Sequence, residues 1–143
     1  MCVFNDGTYI IFLKKHIDAV KQFAESFEGF EELALTFKRV KNILEKAERS
    51  YGVDPDLFRA KCESELWNLY QECEASIEEA VARGDYDKAF SILNRFRDPV
   101  DLFFDEVEIL TKESERLREN RLALLQAIER LFLKVADFSK FSV

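Results

Sequence analysis

The chain has 143 residues, 48% of them apolar, with four glycines, two prolines, fourteen phenylalanines and a net charge of −7. That length supports one hydrophobic core rather than two ordinary domains, and the scarcity of turn formers favours long helices over a sheet. The charge argues against a broadly basic nucleic-acid binder, so any phosphate-binding surface has to be local.

Two further classes are set aside. The cysteines Cys2, Cys62 and Cys73 are odd in number and form no C-x-x-C or Cys/His cluster, which speaks against a disulfide framework and a structural zinc site. The longest apolar run, Tyr9 to Leu13, falls far short of the roughly 20 residues needed to cross a bilayer. The N-terminus has no secretory signal pattern, so a cytoplasmic location without membrane association is expected.

Residues 1–16 are expected to form an irregular N-terminal segment and residues 17–143 a helical domain. Ile17, Val20, Phe23, Ala24 and Phe27 recur at three- and four-residue steps, predicting a short helix that ends near Gly29. A second helix is predicted from Phe30 to about Arg49, with Leu33, Phe37, Val40, Leu44 and Ala47 as its apolar stripe. Asp54-Pro55 then reads as a helix start, because aspartate caps free amides and proline needs no donor in the first turn. The long helix that follows carries Phe58, Cys62, Leu66, Leu69, Cys73, Ile77 and Ala80, and Gly84 is placed to end it.

Asp85 caps a short helix whose inner face is Tyr86, Ala89, Phe90, Leu93 and Phe96, and Asp98-Pro99 repeats the start signal for another. After a polar loop around 111–115, a last helix is predicted over about 115–136, with Leu117, Leu124, Ile128, Leu131 and Val135 inward. The expected fold is therefore all-α, a bundle of five to six helices joined by short connections.

No constellation suggests an active site. His16 is the single histidine and has no serine, cysteine or carboxylate at a triad-like spacing, while Cys62 and Cys73 fall on a core stripe where cysteine acts as a small hydrophobe. There is no Gly-rich phosphate loop and no helical metal motif. Two places invite another reading. Lys38, Arg39 and Lys41 put three cations in four positions, and Arg39, Asn42, Lys46 and Arg49 share one helical face; the alternative is an ordinary solvated face paired with Glu45 and Glu48. Further on, Arg121 lies four residues after Leu117 and three before Leu124, which points its stem inward and requires an acidic partner, with Asp101 and Asp105 as candidates. Its neighbours Arg118 and Asn120, with Phe103 and Phe104, either belong to the architecture or line a pocket offering donors to base edges and rings for stacking.

Six stretches taken together resemble a known family. Lys38-Arg39-x-x-Asn42-Ile43-Leu44, Val53-Asp54-x-x-Leu57-Phe58 and Asp85-Tyr86 precede Asp98-Pro99-Val100-Asp101-x-Phe103-Phe104-Asp105-x-Val107; then come Arg118-x-Asn120-Arg121-Leu122-x-Leu124-Leu125 and Val135-Ala136-Asp137. In this order they closely resemble the C-terminal part of bacterial glycyl-tRNA synthetase beta subunits, from about Ile17 onward. That region is similar to the anticodon-binding domain of arginyl-tRNA synthetase, the DALR domain, although the literal tetrapeptide is absent.

The resemblance implies a non-catalytic domain that binds the anticodon region of tRNA(Gly), whose anticodons carry two cytosines. It implies further partners, the rest of a beta subunit and an alpha subunit, but not DNA. ATP and magnesium would serve the parent enzyme, where the alpha subunit makes glycyl-adenylate, and no cofactor is expected in this domain. Lys38, Arg39, Asn42, Arg118 and Asn120 are the expected tRNA contacts, with Phe103 or Phe104 for stacking. Glu108 stands where the family usually has an apolar run. Met1 to Phe12 match no part of the family, and a fragment or a stand-alone remnant is expected. A helical protein-interaction module is the alternative from another class, and an ATP-dependent catalytic domain a third that no motif supports.

Overall fold

The computed structural model describes residues 29–136. The short helix expected before Gly29 and the irregular segment 1–16 lie outside the described residues. Among those described, α1 spans Phe30–Leu44, a 3-10 turn Pro55–Leu57, α2 Lys61–Ala82, α3 Tyr86–Asn94, α4 Arg97–Glu106 and α5 Glu115–Val135, and no strand occurs. The described residues adopt the expected all-α class.

α2 and α5 form the centre of the bundle, with α3 and α4 packed on α2 and α1 laid across α5 and α4. The apolar stripes meet as the periodicity requires. Phe37, Phe90, Phe96, Phe103 and Phe132 are fully buried, Phe37 stacks on Phe132 with ring centroids 5.9 Å apart, and Phe96 meets Phe132 edge-on at 6.3 Å. Each such ring removes enough apolar surface from water to contribute roughly 1.5–3 kcal/mol. Cys62 and Cys73 are buried and unoxidised on the inner face of α2, and burial pushes both thiols up from their ordinary pKa.

Several boundaries follow local chemistry. Gly84 sits at φ 72°, and the amides of Gly84 and Asp85 donate to the carbonyls of Val81 and Ala80, so a left-handed glycine closes α2 by satisfying its last acceptors. The Asp85 carboxylate then accepts from the Lys88 amide at 3.2 Å and starts α3, and Ser114 caps α5 by accepting from Leu117 at 3.3 Å.

Two predicted boundaries are corrected. α1 stops at Leu44 rather than near Arg49, with single turns up to Ala47. Asp54-Pro55 opens only the 3-10 turn, where the Asp54 carboxylate caps the Asp56 amide at 3.0 Å. The long helix begins six residues later, because the buried Glu63 carboxylate accepts from the amides of Arg59 and Ala60 at 3.0 and 2.9 Å and supplies a stronger start there. α2 is thus 22 residues long, or about 33 Å.

Candidate nucleic-acid interface

The inward stripe of α1, made by Leu33, Ala34, Phe37 and Val40, leaves Arg39 on the flank that faces α4. α4 turns Val100 and Phe103 into the core and leaves Asp101 and Phe104 beside α1. The three flank residues meet. The Arg39 guanidinium lies 4.1 Å from the centroid of the Phe104 ring, and its Nη1 is 3.5 Å from Asp101 Oδ1. The Arg39 side chain remains 47% exposed although its guanidinium carbon sits over the Phe104 ring, so part of it is open to a ligand. A shallow cavity of about 260 Å³ lies alongside, lined in part by Leu35, Arg97 and Asp101. On α1 Lys38 is half-buried and Asn42 is exposed, Lys46 is exposed just past the end of the helix, and neither Lys38 nor Lys46 makes an ion pair among the described residues.

The second expected cluster is rearranged. Phe103 is fully buried and belongs to the core, so Phe104 alone can offer a surface on α4. Asn120 is 3% exposed, and both ends of its side-chain amide are engaged: Oδ1 accepts from the Asp54 amide at 2.6 Å, and Nδ2 donates to the Asp54 carbonyl at 3.0 Å. It clamps the loop before the 3-10 turn, and its burial leaves little of it open to a base. Arg118 is 39% exposed and lies 4.0 Å from Glu115 within α5. No hydrogen bond, ion pair or ring contact joins Arg118 to Arg39 or Phe104 among the described residues.

The ion pair expected of Arg121 is also corrected. Its phase does point inward, but Nη1 donates to the Glu108 backbone carbonyl at 2.7 Å. Among the described residues no ion pair joins it to Asp101 or Asp105. Asp101 is turned toward Arg39 on the α1 side, and the loop after α4 brings a carbonyl to Arg121 before any carboxylate reaches it. Its Nε is buried without a partner.

Sequence reasoning missed a second clamp. Gln126 Oε1 accepts from the Tyr51 amide at 2.9 Å and its Nε2 donates to the Arg49 carbonyl at 2.8 Å. Two amide side chains of α5 therefore hold the 49–54 loop as a neighbouring strand would. Glutamine on a solvent-side helical position gives no pattern by which such a role is read in advance.

Comparison with known proteins defines the class. The family described as DALR anticodon binding domain matches residues 33–137, and the chain belongs to that family. It is 39% identical over 126 residues to the glycine–tRNA ligase beta subunit of Syntrophus aciditrophicus, covering 88% of this chain and 18% of the relative. Over 128 residues it is 41% identical to the subunit of the same name from Syntrophotalea carbinolica, covering 90% and 18%, and over 113 residues 38% identical to that of Moorella thermoacetica, covering 79% and 16%. The chain thus spans less than a fifth of the length of these curated relatives.

Proposed function

We propose that this chain is the anticodon-binding portion of a glycine–tRNA ligase beta subunit and that it holds the anticodon end of tRNA(Gly) without performing chemistry itself. The observation that carries the reading is the half-exposed Arg39 guanidinium held over the Phe104 ring and beside Asp101. Unpaired anticodon bases can be splayed out and stacked on aromatic or guanidinium planes, which is how sequence-specific RNA contacts are commonly made. Arg39 supplies the plane, Lys38 and Lys46 meet backbone phosphates, and Asn42, with both a donor and an acceptor, is suited to a base edge. Arg118, at the start of α5, serves as a further phosphate contact.

The net charge of −7 makes isolated affinity low. In the complete ligase the remaining beta subunit supplies more phosphate contacts, and the alpha subunit uses ATP and magnesium to activate glycine. Fluorescence anisotropy with labelled tRNA(Gly) tests the reading. Arg39→Ala is expected to weaken binding roughly 5- to 100-fold, the range found when one base loses its stacking partner. Arg39→Lys should recover little, because an ammonium has no planar face. Full affinity in both variants overturns the assignment of Arg39.

A further inference from the structure

A second surface lies away from the Arg39 platform, where the 49–57 loop meets the first turns of α5. Here Arg49, Tyr51, Arg116 and Glu119 surround an open cavity of about 340 Å³, with Asn120 at its floor. The walls are held firmly for a loop, since Asn120 and Gln126 fix the backbone at Asp54, Tyr51 and Arg49 through four hydrogen bonds of 2.6 to 3.0 Å. The Arg49 guanidinium sits 5.4 Å from the Tyr51 ring centroid and 3.5 Å from Glu119 Oε1. Arg116 is exposed and makes no ion pair among the described residues. An aromatic face, an arginine beside it, a carboxylate acceptor and an unpaired arginine at the rim are what a single nucleotide uses: ring for base, donors and acceptor for the edge, cation for the phosphate. The volume is at the lower end of small-molecule sites, so it admits one nucleotide and not a base pair.

We infer that this clamped cup binds one unpaired nucleotide of the RNA that engages the Arg39 platform, with its base against Tyr51 and its phosphate on Arg116. This rests on the RNA-binding reading given above. Asn120 and Gln126 act as positioning residues that hold the cup open before RNA arrives, which lowers the ordering cost of binding.

The test uses the full 143-residue chain with a tRNA(Gly) transcript containing 4-thiouridine, read by anisotropy and by photo-crosslink mapping. Tyr51→Leu and Arg116→Ala are each expected to weaken binding at least 5-fold, Tyr51→Phe to retain it, and a crosslink to fall within residues 49–57. If Arg39→Ala weakens binding but Tyr51→Leu and Arg116→Ala do not, and no crosslink falls in the loop, the cup is not a nucleotide site and the platform reading stands alone. No binding by the wild-type chain at any concentration overturns both. Competition by the four 5′-mononucleotides separates RNA from free nucleotide: loss of the loop crosslink at micromolar mononucleotide would contradict an RNA ligand, and no loss at millimolar supports it.

Discussion

Replacing Asn120 with alanine separates architecture from recognition more cleanly than any other single change. The side chain is almost fully buried and gives both its amide groups to Asp54, one as acceptor at 2.6 Å and one as donor at 3.0 Å. Alanine leaves the Asp54 N–H and C=O without those partners. A buried unsatisfied group costs about 1–3 kcal/mol, but Asp54 is only half-buried and borders an open cavity from which water can enter. The combined cost is therefore expected at about 1–3 kcal/mol rather than twice that. For a domain of this size the loss lowers Tm by roughly 3–10 °C. Thermal unfolding followed by circular dichroism at 222 nm measures it. An Asn120→Ala protein with unchanged Tm but lost anticodon discrimination would refute the clamp and make Asn120 a base reader.

Phe132 touches both Phe37 and Phe96, so Phe132→Ala is expected to cost about 3–5 kcal/mol, read as a shift in urea midpoint at constant slope; a loss under 1 kcal/mol would contradict its central place. Burial and then a hydrogen bond to Glu74 hold the Tyr70 hydroxyl up to about 12 from an ordinary 10. Because the folded value is the higher one, this group's contribution is intact below about pH 10 and is lost as pH rises toward 12, so Tyr70→Phe should flatten the alkaline decline in Tm; an unchanged decline would contradict the shift. In a Cys2→Ser background, Cys62 and Cys73 should react with Ellman's reagent only on unfolding, and prompt reaction of the native chain would show that they are not buried.

The bundle was legible because its stripes are strong. The 3.6-residue recurrence of large apolar residues located α1, α2, α3 and α5, and Gly84, Asp85 and the residues around Ser114 marked real ends. Asp54-Pro55 misled because a local start signal competes with the next one along the chain, and Glu63 satisfies more orphan amides than Asp54 does. At the candidate interface the ridge on α1 was readable, but the adjacent phenylalanines were grouped with Arg118 and Asn120, and their closeness to Arg39 was not read. Which of two adjacent phenylalanines turns outward depends on how a ten-residue helix rolls against α1 and α2, and two neighbours about 100° apart in helical phase leave that open. Arg121 was read correctly in direction and wrongly in partner, because helical phase is local information whereas the approach of the Glu108 carbonyl depends on the path of a loop. Asn120 looked like a reader because an asparagine between arginines has the chemistry of one; its burial against Asp54, 66 residues away in sequence, is set by tertiary packing alone.

The central claim, that this DALR domain recognises an anticodon, is met most directly by one equilibrium measurement. The chain is titrated at low salt against labelled tRNA(Gly) and against the same transcript with its two anticodon cytosines replaced by uridine. Base-specific contacts at ~1–3 kcal/mol per altered base predict that the doubly substituted transcript binds at least about 30-fold more weakly, while both lose affinity similarly as salt is raised. Equal affinity for the two transcripts at every salt concentration would contradict anticodon recognition and leave only nonspecific attraction to phosphate.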